Sequence, residues 1–393
     1  MVAAHQKTIL FVTLALERGG TEQHLAEVVP RLVKKGWSAE IYCLAARGVR
    51  AAEVEANGVK VIGPPLDGTP VLSGVFGLVR VVGSALKLGW LMAMQRPYIV
   101  HFFLPGPYLV GAPLSILTAR PIRIMSRRNL DVYLRGRPVI AAVERHFHRW
   151  MTAVAGNSQQ ICEELKGEGC DPKRVAKIYN GVDIGRFEAG GDRGRRRRQL
   201  GISDKAIVGV LVANLIPYKG HADLIEALAG VKDRMPNDWI VLCAGRDDGI
   251  EADLKERVRR SGLEGHVRFL GSCTDVADLL MCADFSLLSS HEEGFSNAII
   301  EGMAAGLAMI VTDVGGNTDA VIDGETGIVV PPKAPEQLGE AILRIASDGA
   351  LRAQYGAAGK LRARSYFSIE QCVDHYQRFY EGLIEGKRVA SCL

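Results

Sequence analysis

The stretch HEEGFSNAIIEGMAAG, residues 291–306, sets two carboxylates, Glu293 and Glu301, eight positions apart around a glycine, an aromatic and two small polar residues. A helix beginning near Ser296 would put them roughly 12 Å apart at 1.5 Å rise per residue, about the span from sugar to ribose in a nucleotide sugar. The strand-like run DFSLLSS precedes this stretch, so its helix would begin just beyond the carboxyl end of a strand. Free N–H groups and a partial positive charge there suit a phosphate. The backbone of Gly294, Phe295, Ser296 and Asn297 would then meet a pyrophosphate, leaving the two glutamates to bind hydroxyls on either side of it.

Elements that could hold such a site recur along the chain. TILFVTLAL, residues 8–16, is an apolar, β-branched run followed by Gly19-Gly20, a helical pattern and the strand-like SAEIYCLA. Strand, glycine turn, helix and strand make a βαβ opening. YIVHFFL, PIRIMS, MTAVAGNS and RVAKIYNGV continue the pattern, and a second series runs from AIVGVLVANL through WIVLCAGR, HVRFLGS, DFSLLSS and AMIVTDV to TGIVVPP. The fold expected is α/β, two Rossmann-like doubly wound parallel-sheet domains facing each other across a cleft. The boundaries read as 1–185 for the first domain, 186–205 for a Gly- and Arg-rich linker, 206–365 for the second domain, and 366–393 for a helix crossing back to the first.

The 393 residues, 48% hydrophobic and 23% charged, have the composition of a globular chain of two or three domains. The eight cysteines show neither a C-x-x-C pair nor metal-ligand spacing, and the first residues lack a secretory pattern, so a cytoplasmic protein without a metal site is expected. Residues 71–94 are apolar, but Arg80 and Lys87 interrupt them, which argues against a membrane span and favours a helix packed on a sheet, with a helix lying at a membrane surface as the alternative.

Charge divides unevenly. Residues 1–186 carry 24 Lys and Arg against 14 Asp and Glu, whereas 187–393 carry 24 against 30. The basic excess peaks in residues 120–150, where Arg135, Arg137, Arg145 and Arg149 alternate with Tyr133, Phe147 and Trp150. Such a patch suits an anionic membrane surface, a phosphorylated acceptor or nucleic acid; nucleic acid is set aside, and a merely solvated face is the plain alternative.

Six segments in order, ERGGTEQHL, VAGNS, KIYNGVDIGRF, VANLIPYKGHADLIEAL, VRFLGSCTDVADLL and the E-x7-E of EEGFSNAIIEGMAAG, resemble the retaining glycosyltransferases of family four, which have the two-domain GT-B fold. The resemblance implies that Glu293 bonds hydroxyls of the donor sugar, Glu301 bonds the ribose, and Lys219 neutralises the diphosphate. Gly294, Phe295, Ser296 and Asn297 would present N–H groups, and Gly19 and Gly20 would form the glycine loop that approaches diphosphate and acceptor. Asn214 stands where relatives often have an arginine, which shifts phosphate binding onto Lys219 or Arg246. Residues 268–271, with Arg268 and Leu270, would lie near the base.

His101, ending YIVHFF, is read as a catalytic histidine facing the cleft, with a buried structural histidine as its competitor. Arg127, Arg128 and Asn129 replace a histidine that relatives carry after the next strand, and would meet the acceptor or the leaving phosphate. The activity implied is transfer of a sugar, with retention, from a nucleotide-diphospho-sugar, preferably a UDP-sugar, to a saccharide or lipid-linked acceptor in bacterial cell-surface polysaccharide or glycolipid assembly. It would need no metal and no cofactor besides the nucleotide sugar, and the enzyme would sit peripherally on the inner face of the plasma membrane. The rivals are a sugar-nucleotide epimerase or hydrolase, a phosphorylase, a nicotinamide oxidoreductase, disfavoured because no G-x-G-x-x-G follows the first strand, and a basic nucleic-acid binder.

Overall fold

The computed structural model describes residues 7–65, 74–130, 134, 136–188, 192–273 and 275–389, with 74–79 as backbone only. The chain forms two compact units, one of residues 1–180 and 369–393 and the other of residues 181–368. Tyr133 and Arg135 of the basic segment lie outside the described residues.

The first unit is built on seven parallel strands: β1 (Thr8–Thr13), β2 (Ser38–Cys43), β3 (Lys60–Ile62), β4 (Ile99–Phe103), β5 (Ile122–Arg127), β6 (Ala153–Gly156) and β7 (Val175–Lys177). Their order is β3-β2-β1-β4-β5-β6-β7, so the direction of winding reverses between β1 and β4. Continuous apolar runs are what a parallel sheet covered on both faces requires. Along β1, Ile9 and Phe11 join a core with Leu25, Val29 and the returning helix Ile369–Ile384, while Leu10 and Val12 join another with Leu88, Leu91 and Tyr108.

The second unit has six parallel strands: β8 (Ile207–Val212), β9 (Trp239–Ala244), β10 (Val267–Gly271), β11 (Phe285–Leu288), β12 (Ala308–Thr312) and β13 (Gly327–Val330). The order β10-β9-β8-β11-β12-β13 puts its reversal between β8 and β11. The sequence boundaries need correction here. Residues expected to form a linker fold into the second unit as the helices Gly185–Glu188 and Arg193–Gln199. Arg197, expected in a solvated connector, is fully buried and donates to the carbonyls of Cys282, Ser203, Asp204 and Ala206 and to Asp284. Helix ends and turns supply carbonyls without partners, and one guanidinium fork satisfies four of them.

Among the described residues, no helix is long and apolar enough to cross a membrane.

Candidate active site

Ligands of doubly wound sheets bind beyond the carboxyl ends of the strands where the winding reverses. In the second unit that point is framed by the loops after β8 and β11. Gly220 adopts φ +70°, and a Cβ there would lie 1.9 Å from the Ser289 carbonyl oxygen, so only glycine lets the two loops meet. The Ser289 hydroxyl donates to the Gly220 carbonyl at 2.9 Å, and the His291 N–H donates to the Tyr218 carbonyl at 2.7 Å. Gly315, after β12, has φ +56° and passes so close to Glu293 that a Cβ would stand 1.7 Å from its carbonyl oxygen. The neighbouring Gly316 N–H donates to Gly294.

This lacing brings Lys219 and Glu293 together. Lys219 Nζ donates to Glu293 Oε1 at 2.6 Å, and the buried Ser290 hydroxyl donates to the same oxygen at 2.7 Å. Beside them starts the helix Asn297–Ala304, whose N-cap, Ser296, makes no side-chain bond to the first turn. Glu301 lies buried inside that helix, and Phe295 packs on Phe367 with ring centroids 5.4 Å apart. Burial, then the nearby Lys219 charge, pushes the His221 imidazole down to about 4, so it is neutral at physiological pH.

Asn214 and Arg246 border the same edge. The Arg246 N–H donates to Asn214 Oδ1 at 3.2 Å, while the Arg246 guanidinium makes a two-pronged contact with Asp248. Leu270 and Gly271 end β10 beside them, the Gly245 N–H donating to the Gly271 carbonyl. Arg268 does not join this edge. It is the second residue of β10, and its guanidinium is bound to the Leu200 carbonyl.

In the first unit the equivalent edge carries Gly19 and Gly20, where the helix Gly20–Lys34 begins, and the Glu22 carboxylate stands 2.3 Å from where a Gly19 Cβ would be. Burial raises the Glu22 carboxyl, against the lowering effects of its own backbone N–H and Arg128. After β4, Leu104 holds φ +71°, a strained conformation for a branched side chain.

Two expectations fail here. His101 faces no cleft: it is fully buried, with Nδ1 2.8 Å from the Tyr380 hydroxyl, Nε2 2.7 Å from the Ser126 hydroxyl, and Phe103 against its ring. Burial, aided by the Arg128 charge, pushes its pKa well below the usual value, so the ring is a neutral structural link to the C-terminal helix. Arg127 is also fully buried, 2.5 Å from Glu144 and 2.5 Å from Glu168, and so presents no charge to an acceptor. Burial opposes the Glu168 charge, yet contacts with His148 and Arg127 outweigh it and hold that carboxyl at about 2. Glu144, His148 and Glu168 have ligand atoms close enough to hold a metal ion, but the Arg127 guanidinium is their cation. Arg128 is nearly buried and donates to Asn180; Asn129 is exposed.

Sequence reading missed Ser290, His221, Gly220 and Gly315. Gly220 and Gly315 stand in dipeptides, Lys219-Gly220 and Gly315-Gly316, that hint at tight turns, whereas the Ser290 contact carries no local signal.

Residues 192–362 match the family model of glycosyl transferases group 1, and residues 18–186 match that of glycosyltransferase family 4. The D-inositol 3-phosphate glycosyltransferase of Salinispora arenicola is 31% identical over 95% of this chain and 88% of its own length. The chain belongs to glycosyltransferase family four. Another D-inositol 3-phosphate glycosyltransferase, from Corynebacterium glutamicum, is 29% identical over 54% of this family-four chain, and the match spans about half, 53%, of that relative. The crystal structure of Anabaena Alr3699/HepE in complex with UDP-glucose superposes with a TM-score of 0.81 at 22% identity, covering 96% of this chain and 99% of that one. The two parallel-sheet units of this family-four glycosyltransferase are thus those of the GT-B fold.

Proposed function

We propose that the chain transfers a hexose, with retention, from a UDP-sugar bound at the β8/β11 edge to a saccharide or lipid-linked acceptor in cell-surface glycan or glycolipid assembly. The observation that carries this reading is the contact of Lys219 with Glu293 just before the start of the Asn297–Ala304 helix, at the winding reversal. The UDP-glucose complex of the Anabaena protein favours uridine as the base.

In this reading the incoming diphosphate draws Lys219 away from Glu293. The freed carboxylate accepts hydrogen bonds from sugar hydroxyls, and Glu301 accepts them from the ribose. Departure of the diphosphate is stabilised by Lys219 and the helix N–H groups, a preorganised electrostatic role, with no metal and no cofactor besides the nucleotide sugar. Arg246, already matched by Asp248, contributes little charge. Asn129, exposed on the carboxyl edge of the other unit, is the acceptor-side candidate, whereas Arg128 is buried against Asn180. The names of the relatives make a phosphorylated polyol an acceptor worth testing. Thermal shift against a panel of nucleotide sugars, followed by transfer to soluble acceptors with the product anomer read by NMR, tests the proposal. Cleavage of the donor at equal rates with and without every acceptor would favour a hydrolase or epimerase.

The same reading places the enzyme on the cytoplasmic side of an anionic membrane. The helices Gly74–Gln95, Pro105–Leu117 and Pro138–His148 are successive neighbours in the first unit. They expose Val82, Leu86, Trp90 and Met94 at four-residue spacing, with Leu117, Val139 and Val143. Of the seven Lys and Arg in residues 68–130, Arg127 and Arg128 are buried, which leaves five basic residues and no Asp or Glu for this surface. An apolar, basic surface rimmed by tryptophan fits an anionic lipid interface. Sedimentation of Trp90→Ser and Leu86→Ser with anionic vesicles checks this, and wild-type protein that stays in solution even at low salt contradicts it.

A further inference from the structure

An open surface pocket of about 390 Å³ lies at the amino-terminal ends of β5, β6 and β7, the edge opposite the strands' carboxyl ends. It is lined by Arg123, Arg149, Trp150, Met151, Thr152 and Arg174. Arg123 opens β5, Arg149 to Thr152 link the Pro138–His148 helix to β6, and Arg174 precedes β7, so one sheet edge gathers three guanidinium groups.

Backbone carbonyls fix two of them. Arg123 Nε donates to the Trp150 carbonyl at 2.9 Å and its Nη1 to that of Arg120 at 2.5 Å. Arg174 Nη1 donates to the carbonyls of Arg149 and Met151, each at 3.2 Å. Among the described residues, Nη2 of Arg123, Nη2 of Arg174 and the whole Arg149 guanidinium make no protein hydrogen bond, and neither Arg123 nor Arg149 pairs with a carboxylate. The one acidic group that approaches is Asp171, 3.9 Å from Arg174 Nε. The Thr152 hydroxyl oxygen, which accepts from the Arg123 N–H at 3.1 Å, keeps its own proton to donate. Arg123 is half-buried, and that partial burial lowers its pKa.

Three guanidinium groups around one open pocket, Arg123 half-buried and Arg149 and Arg174 exposed, with several donors still unused, make a site for an oxyanion bearing more than one acceptor oxygen. We propose that the Arg123, Arg149 and Arg174 pocket binds a phosphate ester, the phosphate of an anionic lipid headgroup or a free phosphate. The headgroup arm rests on the membrane reading above. Exposed Trp90 and Met94 end their helix at this same sheet edge, Leu117 ends the next, and half-exposed Trp150 forms the pocket wall. A headgroup here would leave its acyl chains beside them.

The test compares wild type, Arg149→Ser and Arg123→Ala, with Arg145→Ser as a control of equal charge on the preceding helix outside the pocket. Arg149 makes no structural hydrogen bond, so its variant keeps the test valid if Arg123→Ala misfolds. Calorimetric titration with inorganic phosphate should show one site, weakened about tenfold by Arg149→Ser and unchanged by Arg145→Ser. Sedimentation with vesicles of equal parts phosphatidylcholine and phosphatidylglycerol identifies the source. Loss on Arg149→Ser well beyond that on Arg145→Ser assigns a headgroup, whereas a phosphate isotherm without it assigns a free phosphate. Identical isotherms and identical vesicle binding for Arg145→Ser and Arg149→Ser overturn the pocket. Transfer to a water-soluble acceptor should be equal in all four proteins; its absence from wild type would count against the glycosyltransfer reading and leave the phosphate result standing.

Discussion

Replacing Lys219 by alanine removes the cation assigned to the leaving diphosphate and also leaves Glu293 with Ser290 as its remaining side-chain partner. The two consequences separate by measurement. The side chains of Lys219 and Glu293 are 18% and 9% exposed, so the pair lies between a surface ion pair, worth about 1 kcal/mol or less, and a buried one, whose rupture costs about 3–5 kcal/mol. We expect urea unfolding of Lys219→Ala to show a loss of about 2 kcal/mol. Turnover should fall by about 10²-fold or more, the effect of deleting one preorganised charge-stabilising group. Glu293→Gln supplies the counterpart: Lys219 is released, so affinity for sugar-free UDP should hold or rise while turnover of the UDP-sugar drops. A Lys219→Ala enzyme destabilised as expected yet within about threefold of wild-type turnover would refute the phosphate role. Lys219 would then be a structural partner of Glu293.

Two further outcomes follow from the geometry. Gly315→Ala, whose Cβ would meet the Glu293 carbonyl oxygen at 1.7 Å at a positive φ, should lower both stability and donor affinity, whereas Gly265→Ala, with nothing within 4 Å, should leave donor affinity alone. The buried histidines set an acid limit. His221 titrates near pH 4 in the native protein against an ordinary 6.5, so between those values the unfolded chain holds the proton and the native one does not. Stability from this group is complete above the ordinary value and drains by up to about 3 kcal/mol as pH falls towards 4. His24 and His101, pushed down by burial, act with the same sign. Urea midpoints between about pH 7 and pH 5 should fall less steeply for His221→Gln than for wild type; parallel curves would contradict the assignment.

Strand and helix positions were legible because a sheet covered on both faces writes uninterrupted apolar runs, and its helices write a period near 3.6. β3, three residues long, leaves too little sequence to carry a period. The linker reading failed because an arginine run looks solvated unless its partners are known, and those of Arg197 lie up to 87 positions away, at Asp284. His101 and Arg127 failed for the same reason. Tyr380 comes from 279 positions downstream, and Glu144 and Glu168 lie 17 and 41 positions past Arg127. The E-x7-E stretch was legible because strand end, turn and helix start are contiguous there. The glycine contacts that bring Lys219 to Glu293, Gly220 on Ser289 and Gly315 on Glu293, join separate loops and leave only two glycine-bearing turns as a trace.

Calorimetric titration of UDP into wild type and into Glu301→Ala tests the central assignment most directly. If the helix Asn297–Ala304 carries the ribose anchor, the wild type binds UDP at one site, while Glu301→Ala, with an unchanged circular dichroism spectrum, loses most of that affinity and all turnover. An isotherm for Glu301→Ala that overlays the wild-type curve would contradict the account and move the nucleotide away from the β8/β11 edge.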